Sequence, residues 1–229
     1  MCFELDSVPP IPALSGAAVE HEDLVLEAAD GTRFAAFAAH PDEPSGTGVV
    51  VLPDVRGLYR FYEELALRFA ERGIAAVAID YFGRTAGVGK RGDDFPYREH
   101  VAQTTPEGIQ ADVRAAVEYV RRSTDAMFTV GFYGFPGARE FPGPTDRAAE
   151  IEAPILALQA GADQNITAED NAAFERALNE AGVEHELVTY DGAPHSFFDR
   201  RQDDFAEASE DAWNRVLAFI QQHAGVPAA

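Results

Sequence analysis

Asp163 and His195 are the two residues of this 229-residue sequence best suited by type and place to move a proton. They stand in the small-residue loops Ala160-Gly161-Ala162-Asp163 and Gly192-Ala193-Pro194-His195-Ser196-Phe197. Each loop follows an apolar run that reads as a strand, Pro154 to Gln159 and Glu186 to Tyr190. A carboxylate beside an imidazole holds the ring in the tautomer a general base needs and stabilises it once protonated. The plainer readings are that Asp163 caps the helix that follows and that His195 is a loop histidine with a local hydrogen bond. The order of the two, each just past a strand, favours the pair.

Two further positions follow strands earlier in the chain. Asp54 lies in Leu52-Pro53-Asp54-Val55-Arg56-Gly57-Leu58, a loop whose Val55 N–H is suited to a developing oxyanion, although Asp54 reads equally well as a turn residue. Arg84, in Asp80-Tyr81-Phe82-Gly83-Arg84-Thr85, is suited to a forked grip on a substrate carboxylate, or simply offsets an acidic surface. The run Gly87-Val88-Gly89-Lys90-Arg91-Gly92 matches the dinucleotide glycine pattern. Asp93-Asp94-Phe95-Pro96 follows it instead of a helix, which removes the anion site that pattern serves. The histidines show no ligand spacing, so no metal and no cofactor is expected.

The elements that must position these residues alternate between strand and helix. Glu22 to Ala28 and Arg33 to Ala39 flank Asp30-Gly31, the chemistry of an antiparallel hairpin. Beyond Pro44-Ser45-Gly46 come buried strands at Val49 to Pro53, Ile74 to Asp80 and Met127 to Phe132. The helices between them run around Phe61 to Arg72 and from Thr105-Pro106-Glu107, where Ile109, Val113, Val117 and Val120 make one stripe. A helix from Thr167 to Gly182 and another over Asp204 to His223 complete the pattern. The fold class is α/β, a mostly parallel sheet covered by helices on both faces. One domain over 1–229 is expected, with an N-terminal extension over 1–20 and a long loop over 83–104 near the site.

A net charge of -21 opposes nucleic acid and anionic membranes alike. That acidity, with Lys90 as the one lysine, reads as a salt-tolerant surface or as a biased composition. Met1 to Pro12 has neither a basic start nor a signal-length apolar run, and no stretch approaches the roughly 18 apolar residues of a membrane span. With Cys2 the sole cysteine, a cytoplasmic protein is expected, a monomer or homodimer.

The run Asp80 to Arg84, the Asp54 to Leu58 loop and the surroundings of Asp163 and His195 together resemble the dienelactone hydrolases, cysteine-dependent members of the α/β-hydrolase superfamily. The likeness extends from Leu24 to Ile220. It implies an α/β-hydrolase fold and a small lactone or carboxylic ester as substrate. It also implies Asp163 and His195 as triad partners, acid before histidine in chain order, and Arg84 as a carboxylate binder. Asp54 stands where the family carries a longer glutamate that meets the cysteine. The family's second arginine falls at Asp199, leaving Arg200 as its substitute.

The pattern breaks at the nucleophile. Where the family has a turn like G-x-C-x-G-G, this chain reads Gly131-Phe132-Tyr133-Gly134-Phe135-Pro136-Gly137, with Tyr133 in the nucleophile's place as a substrate contact. A phenol of pKa about 10 supplies little phenolate at neutral pH. Ser123 lies at the wrong end of its strand, Ser196 adjoins the base itself, and Cys2 is far away in sequence. Val130 to Gly134 also resembles a later strand of the family. The resemblance implies that two strands have fused and that a central strand–helix unit of roughly 30 residues is absent. The expected function is an impaired lactone or ester hydrolase; the alternatives are a non-catalytic carboxylate-binding or interaction protein and a damaged chain that folds poorly.

Overall fold

The computed structural model describes residues 6–131, 134–138 and 140–224. Within the stretch read from the sequence as one domain, the chain gathers into two compact units, one built from 5–132 with 220–229 and the other from 133–219.

The larger unit begins with β1 (Val19–Glu27) and β2 (Arg33–Pro41), paired antiparallel through Leu26 and Phe34 around the Asp30-Gly31 turn. Gly31 takes φ 82°, and the Asp30 carboxylate accepts the Thr32 N–H at 3.0 Å, which closes the turn. β2 runs antiparallel to β4 (Ala75–Ile79), and β4 runs parallel to β3 (Thr47–Leu52), which pairs parallel with β5 (Ala126–Gly131). The sheet order is β1-β2-β4-β3-β5.

β3 and β4 carry unbroken Val, Ala and Ile because both their faces are covered. On one face, Ala36, Ala38, Val50 and Val77 meet Ala116 and Val120 of α4 (Pro106–Val120). The alternate residues Phe37, Val49, Val51, Ala76 and Ala78 are equally buried and point the other way. There α1 (Arg60–Ala70) contributes Phe61, Tyr62, Leu65 and Phe69, all 0–1% exposed. Thr105 caps α4 by accepting from Gly108 N–H, with Pro106 in the first turn. The deepest stripe of α4 is Asp112, Ala116 and Val120; Val113 and Val117 flank it. A buried carboxylate in that stripe requires a partner from elsewhere in the fold, which periodicity cannot reveal.

The 83–104 segment is more ordered than a loop. It holds two short helices, α2 (Gly83–Ala86) and α3 (Tyr97–Val101). Arg91 donates to Asp80, just past β4, and the Tyr59 hydroxyl, just past β3, donates to Asp93 at 2.5 Å. The segment therefore folds over the carboxyl ends of these two strands.

In the smaller unit β6 (Ile155–Ala160) and β7 (His185–Tyr190) form a parallel pair. α5 (Ala168–Ala181) follows β6, opened by a capping box of Thr167 and Asp170 and closed by Gly182 at φ 72°. α6 (Ala206–His223) follows β7. Among the described residues β5 pairs only with β3, and β6 only with β7. All six residues of the apolar β6 are only half-buried, against 0–5% exposure for β3 residues 49–51 and for β4. β6 has the composition of a central strand in the position of an edge. Native-state amide exchange should follow this difference: β6 and β7 are expected to open at least about 2 kcal/mol below β3 and β4, roughly thirtyfold in protection. Equal protection in all four strands would contradict that.

Candidate active site

β6 ends at Ala160 and β7 at Tyr190, and the loops that follow are fastened to each other by backbone bonds. Gly161 N–H donates to Tyr190 C=O at 2.9 Å and Ala162 N–H to Ala193 C=O at 2.9 Å. A Cβ at Gly161 would stand 2.8 Å from the Tyr190 carbonyl oxygen, so the close approach needs glycine. This brings Asp163 and His195 together. His195 Nδ1 donates to Asp163 Oδ2 at 2.5 Å, with the side chains 17% and 4% exposed. The other carboxylate oxygen, Oδ1, accepts the N–H groups of Asn165 at 2.7 Å and Ile166 at 3.2 Å. Asp163 is thus not the cap of α5, a role Thr167 fills. With Nδ1 protonated and held, Nε2 is the nitrogen that accepts a proton, the geometry of a general base.

The two candidates in the larger unit are both held in ion pairs. Asp54 is 6% exposed, and its Oδ1 accepts Arg56 N–H at 2.9 Å and Arg56 Nε at 3.1 Å. Its peptide is held as well: Asp54 N–H donates to the Tyr62 hydroxyl at 3.0 Å, and the Tyr81 hydroxyl donates to Asp54 C=O at 2.8 Å. Burial pushes the Tyr81 hydroxyl's pKa far up, keeping it a proton donor. Arg56, 4% exposed, lies among the rings of Tyr59, Phe61 and Tyr62 at 5.2–5.8 Å. Asp54, expected among the catalytic groups, pairs with a buried arginine that the sequence reading passed over. The Asp-x-Arg spacing ahead of an aromatic run was its only signal. Val55 is half-buried, and among the described residues its N–H meets no acceptor.

Arg84, expected as a carboxylate binder, donates through Nη1 to both oxygens of buried Asp112 at 2.6 and 2.5 Å and through Nη2 to Asp30 at 2.7 Å. The guanidinium ties α2, α4 and the β1–β2 turn together. Arg200 is exposed, and Asp199 before it is buried. Ser196 is 2% exposed inside the turn after His195. Tyr133 and Cys2 lie outside the described residues. Among the described residues no three metal-ligating side chains cluster, and no helix is long and apolar enough to cross a membrane.

A mixed sheet flanked by helices, and a histidine–aspartate pair in the loops after a separate parallel strand pair, are the marks of the α/β-hydrolase class. The pattern of the dienelactone hydrolase family matches residues 34–127 and 123–224, and the chain belongs to that family. The two matched stretches share 123–127, so the segment entering β5 answers to two places in the family pattern. The chain is 27% identical to the carboxymethylenebutenolidase of Rhodococcus opacus, with all of both chains covered. That alignment runs over 267 positions against 229 residues here, leaving 38 positions with no residue of this chain. Among solved structures it is similar to a dienelactone hydrolase-like promiscuous phosphotriesterase from metagenomic libraries, with TM-score 0.74, 18% identity and 90% and 99% of the two chains covered. It is also similar to a Pyrococcus furiosus esterase, with TM-score 0.66, 14% identity and 97% and 100% covered. By family the chain is a hydrolase.

Proposed function

We propose that this chain acts on small carboxylic esters and lactones through the Asp163–His195 pair, by direct attack of water rather than through a covalent enzyme intermediate. The carrying observation is that pair, joined at 2.5 Å and held by the cross-bonded loops after β6 and β7. The name of the Rhodococcus relative points to a butenolide lactone as the class of substrate. The family's cysteine has no counterpart at the junction after β5, where Tyr133 stands.

In the proposed reaction a water oxygen attacks the ester carbonyl while its proton passes to His195 Nε2. The carbonyl oxygen becomes an oxyanion, which hydrogen-bond donors aimed at its position stabilise. Collapse breaks the acyl C–O bond, and the leaving oxygen takes the proton back from His195. Asp163 keeps the ring oriented and balances its charge while the proton resides there.

The test is hydrolysis of a dienelactone and of a simple aryl ester by the purified chain, with His195→Ala beside it. Product should accumulate without a burst, at about 10³ times the uncatalysed rate, and fall to background in the variant. Equal rates with and without His195 would overturn the proposal, and a stoichiometric burst would replace it with covalent catalysis by an unassigned group.

A further inference from the structure

His195 is held at one side by Ala193, two residues before it, whose carbonyl accepts Ala162 N–H from the Asp163 loop. On the other side, also two residues away, the Phe197 carbonyl accepts the hydroxyl of Ser209 at 2.9 Å. Ser209 belongs to α6, is 0% exposed, and lies on the stripe that continues through Ala212 and Trp213. Around it Ala193, Phe197 and Ala212 pack with Leu158, Tyr190 and Phe205 in an apolar cluster. A hydroxyl there costs desolvation unless it is bonded, and packing alone would be served by alanine. The bond is therefore the reason for a polar side chain at this place.

We propose that Ser209 is a positioning residue for His195. α6 is the rigid element, its hydroxyl fixes the Phe197 carbonyl, and the Phe197-to-Pro194 turn, closed by Phe197 N–H on Pro194 C=O at 3.0 Å, carries that constraint to the imidazole. Without the hydroxyl the turn loses its tie to α6, and Nδ1 loses its fixed distance to Asp163. The inference rests on His195 being the working base, but its test does not depend on turnover.

The readout is the Nδ1 proton of His195 in the unliganded full-length chain, observed by ¹H–¹⁵N NMR. In the parent a downfield resonance marks its bond to Asp163. In Ser209→Ala that resonance should broaden or disappear, with exchange against water at least tenfold faster. Ser209→Cys, of similar shape but a weaker donor, should fall between, and it serves if the alanine variant folds poorly. Ala212→Gly, which loosens the same helix and cluster without touching the bond, should lower the melting temperature and leave the resonance in place. An unchanged resonance in Ser209→Ala, or the same loss in Ala212→Gly, would overturn the positioning role. The expected NMR change in a chain that hydrolyses no ester would keep that role and discard the hydrolytic reading instead.

Discussion

Inserting after Gly131 a strand, a G-x-C-x-G-G turn and a helix, the pattern that the family resemblance implies there, is expected to raise ester turnover by at least about 10³-fold. An enzyme of this type that lacks its nucleophile keeps only the contribution of its oxyanion donors and binding, while the base and acid that remain act on water. Asp163 and His195 are already assembled with their loops fastened, so the graft has to supply a nucleophile and little else. It should also give β5, which among the described residues pairs only with β3, a second neighbour, and a steeper unfolding transition should accompany the gain. The measurements are aryl-ester kinetics with a burst assay and a urea melt on the same sample. A graft that folds cooperatively yet gains no turnover would show that the pair is not poised for catalysis.

Arg84→Ala should act on stability before it acts on binding, costing about 3 kcal/mol, or roughly 6–12 °C in Tm. Removing the guanidinium leaves Asp112, 0% exposed, as an uncompensated charge beneath α2. Burial already pushes the Asp112 carboxyl upward against the opposing pull of Arg84. Asp30, on the exposed side of the same guanidinium, is held down to about 2 by its hydrogen bond to Arg84.

These shifts have opposite consequences on acidification. The contribution of Asp30 is present above the ordinary aspartate range and is lost as pH falls toward 2. Asp112, with its pKa raised, favours the folded state at low pH and disfavours it as pH rises through its folded value. In Arg84→Ala the Asp30 contribution disappears and the Asp112 cost grows, so the variant should regain part of its lost stability as pH is lowered from 7 toward 5. The double variant Arg84→Met with Asp112→Leu removes both charges and should recover most of the loss at pH 7. A single variant within about 0.5 kcal/mol of the parent would mean that the pair does not hold this corner of the fold.

Much of the architecture was legible in the sequence because it rests on local rules. Asp30-Gly31 set the hairpin, Thr105-Pro106 opened α4, Thr167 and Gly182 bounded α5, and the all-apolar runs at 49–51 and 75–79 marked strands covered on both faces. Asp163 and His195 were readable for a related reason. Their loops directly follow strands, and two adjacent parallel strands deliver whatever follows them to the same edge.

What tertiary structure alone decided was the commitment of the charged groups. Residue type shows that Arg84 and Asp54 carry charge, but not that Asp112, 28 residues along the chain, and Arg56, turned back over its own loop, have already claimed them. Ser209 was hidden in the same way, a polar residue on an apolar stripe whose partner lies 12 residues away. Sequence periodicity encodes the direction in which a side chain points, and so it determined the sheet, the helices and the histidine–aspartate pair. Which opposite charge or carbonyl that side chain meets depends on how elements distant in sequence pack, and only the folded chain settles it.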